Sequence, residues 1–275
     1  MEYKLLALDM DGTVLSDDSV SVSQANLDAI NAAIARGVIV VYCTGRMRNR
    51  LPEMLQQGAP GMRYAVTSNG AAVVDFYTGE VLHADGMSPR LASDLAARLG
   101  AYPIPIDVYC DGNDYCDRRT AALIQELPFS LSRKRAIMRG RFVVEDLPAF
   151  LASTELVVEK FNLLYLADDL RPEILGLLDR TEGICVSSSC PGNAEINAAG
   201  VNKGTGLRRL CDYLGVYPDQ VMAIGDNGND REMMEFAGLA VAMENATEDI
   251  LALADDVTAS NMADGVAVAI EKYLL

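Results

Sequence analysis

Histidine is almost absent from this chain, and tryptophan is absent altogether. The 275 residues include one histidine, His83. Hydrolases that pair serine or cysteine with histidine need that histidine beside the nucleophile, so a single histidine argues against both classes. If the chain is an enzyme, we expect its acid–base chemistry to rely on carboxylates.

Paired cysteines and long apolar runs are also lacking. No apolar run approaches the ~18 residues of a membrane span, and the first residues lack the basic and apolar segments of a secretory signal. The sequence therefore predicts a cytoplasmic protein with buried, reduced thiols. No two of the cysteines form a Cys-x-x-Cys pair, which argues against zinc; they are Cys43, Cys110, Cys116, Cys185, Cys190 and Cys211.

Positive charge is scarce. Lysine and arginine number 23 against 39 acidic residues, which gives a net charge of −16. This balance argues against binding to nucleic acid or to an anionic membrane. It does not exclude a phosphate substrate, because a metal ion and a few local donors can attract an anion to an acidic protein. The oligomeric state stays open.

Buried strands alternate with helices at both ends of the chain. Apolar runs predict strands, and helix signals follow two of them, including one at Ser23 and one over about Met47 to Gln57. Such alternation indicates parallel strands with right-handed crossovers. The predicted strands are Leu5–Leu8, Val38–Tyr42, Tyr64–Thr67 and Val221–Ile224.

The pattern changes in the middle of the chain. From about His83 the elements become less regular, and the first pattern returns near Ala194. We therefore predict a core formed by residues 1–83 and 191–275, with a separate α/β module over residues 84–190.

Polar residues follow three of the predicted core strands. Asp9 and Asp11 follow the first, Thr44 the second and Asp226 a later one, while Lys203 begins a helix. Ligands of open parallel sheets bind at the carboxyl ends of the strands, so these side chains are expected to meet. For the first pair alone, an Asp- and Gly-rich turn after an edge strand is the alternative.

Each of these side chains has a use in phosphoryl transfer. Asp9 is placed to attack phosphorus and form an aspartyl-phosphate. Asp226 could join it in holding Mg²⁺, while Thr44, Lys203 and nearby backbone N–H groups donate to phosphate oxygens. Asp11 could protonate the leaving oxygen and later activate water.

Five motifs in this order resemble the haloacid dehalogenase superfamily and, within it, the Cof-like sugar-phosphatase branch. The resemblance implies an α/β fold, with a three-layered Rossmann-like parallel-sheet core and an inserted, mobile α/β cap domain. The motifs are Asp9-Met10-Asp11-Gly12-Thr13, Thr44-Gly45-Arg46, Ser68-Asn69-Gly70, Gly200-Val201-Asn202-Lys203-Gly204 and the run over residues 225–234.

The resemblance also implies residue roles. Asp9 would be the nucleophile and Asp11 the general acid/base. The Mg²⁺ ligands would be the carboxylates of Asp9 and Asp226 and the backbone carbonyl of Asp11. Asp230 would orient Lys203 rather than touch the metal. The contacts to phosphate or substrate would come from Met10, Thr44, Gly45, Lys203 and Asn229.

The expected function is a Mg²⁺-dependent phosphatase of small phosphorylated metabolites, with sugar phosphates as the expected class and the cap closing over the substrate. A phosphomutase on the same scaffold and a catalytically weak phosphate-sensing protein are the alternatives. For Arg46, substrate contact and an ion pair are weighed equally. Asn69 and Gly70 are interpreted as a turn, and the basic run Arg133–Arg135 as a solvated face.

Overall fold

The structure, a computed structural model, describes residues 3–51, 59, 61–189 and 192–275. The strands are β1 Leu5–Leu8, β2 Ile39–Cys43, β3 Tyr64–Thr67, β4 Ala72–Asp75, β5 Glu80–Ala84, β6 Ile106–Cys110, β7 Asn113–Asp117, β8 Phe142–Val144, β9 Val158–Leu163, β10 Ile184–Ser187, β11 Ala194–Ala198, β12 Val221–Gly225, β13 Leu239–Ala242 and β14 Asp256–Val257.

The helices are α1 Gln24–Ala35, α2 Pro89–Leu99, α3 Arg118–Glu126, α4 Leu131–Met138, α5 Leu147–Ser153, α6 Arg171–Asp179, α7 Lys203–Leu214, α8 Arg231–Phe236, α9 Glu248–Leu253 and α10 Gly265–Tyr273. The helix predicted over 47–57 starts with a 3₁₀ turn at Arg48–Arg50, and most of it, like Cys190, lies outside the described residues.

The chain divides into two compact units. One consists of Met1–His83 and Asn202–Leu275, the other of Ala84–Val201. The sequence pattern placed residues from 191 onward in the core, whereas the structure pairs β11 with β9 and β10 of the second unit. Ala194 and Ile196 alternate toward the apolar interior of the second unit. A strand of the first unit would show the same alternation, so the sequence pattern could not assign β11 to one of the two sheets.

The first unit is built on an eight-stranded sheet with the order β14-β13-β12-β1-β2-β3-β4-β5. Its strands from β14 to β3 are parallel, and β4 runs antiparallel to β3. Strands buried on both faces read as continuous apolar runs. In β1, Leu6 and Leu8 pack with α1 and α10, while Leu5 and Ala7 pack with α7 and α8. The predicted three-layered parallel-sheet core is therefore confirmed.

The second unit is built on a six-stranded sheet with the order β10-β11-β9-β6-β7-β8. Most of its pairs are antiparallel, and one face packs against α2, α5 and α6. The basic run Arg133–Arg135 lies on α4, where both arginines are exposed and Lys134 is half-buried.

Buried ion pairs lie on the other face of the second sheet. Lys160 lies 3.0 Å from Glu195, and Arg141 contacts both Asp107 and Asp114. Within the described ranges, the helices are too short or too polar to cross a lipid bilayer.

Candidate active site

Four neighbouring strands of the first unit bring their carboxyl ends to one edge of the sheet. The order β12-β1-β2-β3 is parallel throughout. Asp226, Asp9, Thr44 and Ser68 each follow the last residue of one of these strands. All four are buried, so the polar groups predicted at strand ends lie where a ligand of an open parallel sheet would bind.

Lys203 enters this edge from the start of α7. Asn202 caps the helix: its side chain accepts a hydrogen bond from Thr205 N at 2.8 Å, and its own N–H donates to Thr205 Oγ1 at 3.0 Å. The Lys203 side chain is fully buried. Its Nζ donates to Asp9 Oδ1 at 2.5 Å and to Asp230 Oδ1 at 2.6 Å.

Asp230 uses both carboxylate oxygens within the protein. Oδ1 accepts from Lys203, and Oδ2 accepts from the backbone N–H groups of Asp226 and Asn227 at 3.0 Å each. This is the arrangement expected of a residue that orients Lys203, and it leaves Asp230 poorly placed to ligate a metal.

Asp226 approaches the loop after β1 closely. Thr13 Oγ1 donates to Asp226 Oδ1 at 2.7 Å. Gly12 has φ +88°, and a Cβ at this position would lie 2.4 Å from Asp226 Oδ2. Only glycine adopts this backbone conformation without strain and leaves room for the carboxylate.

The cluster offers a metal-binding set of oxygens. One carboxylate oxygen each from Asp9, Asp226 and Asp230 lies within 4.8 Å of the others. Carboxylate oxygens are the ligands that Mg²⁺ prefers. Because Asp230 is engaged by Lys203 and two backbone N–H groups, Asp9 and Asp226 are the carboxylates that could hold the ion.

Electrostatics favour a cation here. Burial raises the pKa of Asp9 well above its usual value, and Asp230 raises it further while Lys203 lowers it. Burial, with a contribution from Asp230, also raises the pKa of Asp226 to about 6. Burial alone would lower the pKa of Lys203, but Asp230 and Asp9 outweigh it and raise that pKa. Three carboxylates face one ammonium, so a bound cation would relieve their repulsion.

Asp11 lies apart from that cluster and is paired with Arg46. Arg46 Nε donates to Asp11 Oδ2 at 2.8 Å and Nη2 to Asp11 Oδ1 at 2.5 Å. The side chains are 39% exposed for Asp11 and 22% for Arg46. Of the two interpretations of Arg46, the structure shows the ion pair.

The other expected phosphate contacts differ in how they are placed. The Met10 side chain is buried in the apolar cluster with Leu6 and Leu8, so only its backbone is left for a phosphate. Thr44 is buried, and its Oγ1 accepts from the N–H of Arg46, one residue beyond Gly45, at 3.1 Å.

Asn229 lies beside the turn after β3. Its Nδ2 donates to Asn69 Oδ1 at 3.4 Å. Asn69 has φ +57° within the Ser68–Gly70 turn that joins β3 to the antiparallel β4. A Cβ on Gly70 would lie 1.9 Å from the carbonyl oxygen of Asn202. The segment is therefore a turn, and it also packs against the start of α7.

Two asparagines that anchor the loop after β1 went unrecognised in the sequence. Asn245 Nδ2 donates to Gly12 O at 2.8 Å, and Asn261 Nδ2 donates to Leu15 O at 3.1 Å. Asn245 follows β13 closely, so the strand-end rule that identified Asp226 could have found it. Asn261 follows the half-buried Ala259 and Ser260, and no motif marks it.

The chain is similar to known proteins over almost its whole length. A model of the haloacid dehalogenase-like hydrolase family matches residues 6–270. The 5-amino-6-(5-phospho-D-ribitylamino)uracil phosphatase YcsE of Bacillus subtilis is 31% identical over 279 residues, with 100% of this chain and 97% of that protein covered.

One further relative and one solved structure are also similar to this chain. The HMP-PP phosphatase of Cronobacter sakazakii is 30% identical over 250 residues, with 90% of this chain and 87% of that protein covered. The structure of a haloacid dehalogenase-like hydrolase from B. subtilis is 27% identical and superposes with a TM-score of 0.84, covering 99% of this chain and 100% of that one.

Proposed function

The chain belongs to the haloacid dehalogenase-like hydrolases and is a phosphatase, and we propose that it acts on small phosphorylated metabolites with Asp9 as its nucleophile. The observation that carries the proposal is the pairing of Asp9 with Lys203, 2.5 Å apart. Asp230 fixes that lysine from the other side. A buried carboxylate beside a buried ammonium is suited to receive a phosphoryl group and to stabilise its charge.

The first step transfers the phosphoryl group to Asp9. A carboxylate oxygen of Asp9 forms a bond to phosphorus as the bond from phosphorus to the ester oxygen breaks. Asp11 gives its proton to the departing oxygen, which leaves as an alcohol. Lys203 and the backbone at the ends of β1 and β2 donate hydrogen bonds to the phosphoryl oxygens.

The second step returns the phosphoryl group to water. A water molecule gives a proton to the Asp11 carboxylate as its oxygen attacks phosphorus, and the bond from Asp9 to phosphorus breaks. Inorganic phosphate leaves, and both carboxyl groups return to their starting states. Asp11 thus acts once as acid and once as base.

Mg²⁺ is the cofactor we propose, held by the carboxylates of Asp9 and Asp226 and by the backbone carbonyl of Asp11. When bound, it would neutralise charge on the phosphoryl group and the nucleophile. The oxygen donors and the excess of negative charge at the cluster support this assignment.

The proposed substrates are small phosphorylated metabolites, with sugar phosphates as the first class to test. The names of the two relatives, a phosphoribitylamino-uracil phosphatase and an HMP-PP phosphatase, describe enzymes of small phosphorylated compounds. The cytoplasmic location and the lack of nucleic-acid or membrane partners stay predictions from charge and sequence.

The test is release of inorganic phosphate from a panel of sugar phosphates and other small phosphoesters, with Mg²⁺ or with a chelator. We expect release that needs the metal and is abolished by Asp9→Asn. A folded protein that releases no phosphate from any ester would contradict the proposal. Conversion of a hexose phosphate to its isomer would instead identify the phosphomutase alternative.

A further inference from the structure

Arg46 contacts Asp11 at both carboxylate oxygens, although the two chemical steps need no arginine. Its Nε lies 2.8 Å from Oδ2 and its Nη2 lies 2.5 Å from Oδ1. Such two-pronged pairing of a guanidinium with a carboxylate fixes direction as well as distance. The position of the Asp11 carboxylate therefore depends directly on Arg46.

Both ends of Arg46 are themselves held in place. Its backbone N–H donates to Thr44 Oγ1 at 3.1 Å, and its backbone carbonyl accepts from Ser68 N at 2.8 Å. At the far end, Nη2 also donates to the carbonyl oxygen of Ser19 at 2.7 Å. Arg46 thus connects the ends of β2 and β3 to the loop that carries Asp11.

Folding stability is a poor explanation for this arrangement. Ion pairs as exposed as Arg46 and Asp11 contribute little to it. The loop is also anchored independently, because Asn245 donates to the carbonyl oxygen of Gly12. What Arg46 adds is the orientation of one carboxylate.

We propose that Arg46 is a positioning residue that holds the Asp11 carboxylate where it exchanges protons with the leaving oxygen and with water. The inference rests on the proposed function, since it requires Asp11 to act as acid and base. In the first step Asp11 loses its proton and becomes a carboxylate, which the guanidinium then stabilises by two charge-assisted hydrogen bonds. In the second step the same carboxylate accepts the proton of water.

The test compares two substrates that differ in their need for an acid. Glucose 6-phosphate has an alkoxide leaving group that must be protonated, whereas p-nitrophenolate leaves well without a proton. For Arg46→Gln we expect kcat/KM on glucose 6-phosphate, which excludes the shared second step, to fall about 10- to 100-fold, because a misplaced acid loses much of its effect. On p-nitrophenyl phosphate kcat/KM should fall only a few-fold. Arg46→Lys, which cannot bond both oxygens in parallel, should be intermediate.

A matched control exists in the same unit. Arg63 also makes two hydrogen bonds to one carboxylate, from Nε and Nη2 to Asp75 Oδ2 at 2.8 and 2.5 Å. Arg63→Gln removes a comparable pair but should leave the ratio of the two kcat/KM values unchanged. A double variant adds a second readout: in an Asp11→Asn background, Arg46→Gln should have no further effect on either substrate.

Three results would overturn the inference. Equal losses of kcat/KM on both substrates would make Arg46 a phosphate contact, and a faster Arg46→Gln enzyme would make the pair inhibitory. Further loss in the Asp11→Asn background would show that Arg46 acts independently of Asp11. If the wild type hydrolyses neither these esters nor any other of the panel, the proposed function itself fails.

Discussion

Lys203 is a charged residue whose side chain is fully buried at the site. A fully buried ammonium is tolerated because two carboxylates, Asp9 and Asp230, bond to it directly. Removing one partner from a buried charge network leaves the others uncompensated, and this costs about 3–5 kcal/mol. The lysine therefore contributes to folding as well as to the proposed phosphate binding.

Lys203→Met should lower the free energy of unfolding by about 3–5 kcal/mol in the absence of phosphate, because it strands two buried carboxylates. Chemical denaturation with urea would measure this. Lys272→Met serves as the control, since Lys272 pairs with Asp256 at an exposed site and should show no measurable change. Equal midpoints for the wild type and Lys203→Met would contradict the buried network.

An alanine at Gly12 would have two effects: backbone strain at positive φ and a steric clash with the Asp226 carboxylate. Gly12→Ala places a methyl group 2.4 Å from Asp226 Oδ2, so we expect loss of Mg²⁺ binding and of metal-dependent phosphate release. Gly37 has the same φ of +88° but open space around its Cβ position.

Gly37→Ala is therefore the matched control for Gly12→Ala. Both variants should lose about 1–2 kcal/mol of stability, because a non-glycine residue is strained at positive φ. Isothermal titration with Mg²⁺ should detect binding to Gly37→Ala only. Normal Mg²⁺ binding by both proteins would show that the position of the Asp226 carboxylate does not require the absence of a side chain at Gly12.

Among the secondary-structure elements, α7 begins with a capping residue, Asn202, directly before the site residue Lys203. Asn202→Ala removes the side chain that accepts from Thr205 N, at a cost of about 1 kcal/mol. Because Lys203 is the next residue, we expect kcat for phosphate release to fall as well. Ser23→Ala removes the comparable cap of α1, whose Oγ accepts from Asn26 N at 3.1 Å. It should cost similar stability and leave kcat unchanged; a matching loss in both would contradict the link.

The elements that sequence predicted best are those with the simplest environment. The apolar runs of β1, β2 and β12 are buried on both faces, and such runs read as strands wherever they occur. Asp9, Thr44 and Asp226 follow directly from these strands, because parallel strands end at a common edge. β11 was placed in the core because its pattern gives no sign of which sheet it joins.

Contacts between distant residues were beyond sequence reasoning. Arg46 and Asp11 are 35 positions apart, and no local pattern could distinguish their pairing from a substrate contact. The buried pair of Lys160 with Glu195 is a diagonal contact between the paired strands β9 and β11, which are far apart in sequence. Such partners become visible only once strand order and register are known.

For the molecule as a whole, buried thiols should make the folded state less stable at alkaline pH. Burial raises the pKa of Cys110, Cys116 and Cys211 to about 12, and it raises that of Cys43 as well. In the unfolded chain such thiols have a pKa of ~8.5. Above that pH the unfolded state binds fewer protons than the folded state, so stability falls as pH rises, by up to about 1.4 kcal/mol per pH unit for each buried thiol.

Urea midpoints measured from pH 7 to pH 10 should therefore change little up to about pH 8 and decrease above it. Iodoacetamide at pH 8 should leave these four cysteines unlabelled in the native protein and label them in urea, as read by mass spectrometry of the peptides. A flat stability profile, or labelling of these four thiols without denaturant, would contradict their burial.

In the proposed mechanism the phosphoryl group passes through Asp9, and trapping that phosphoaspartate is the decisive experiment. The enzyme would be quenched during turnover of a hydrolysed ester with Mg²⁺ and reduced with borohydride, which converts phosphoaspartate to homoserine. Peptide mass spectrometry then locates the modified residue. We predict homoserine at position 9 only, and none without substrate or in Asp9→Asn. Homoserine at position 11 or 226, or at no position in an enzyme that is turning over, would contradict phosphorylation of Asp9.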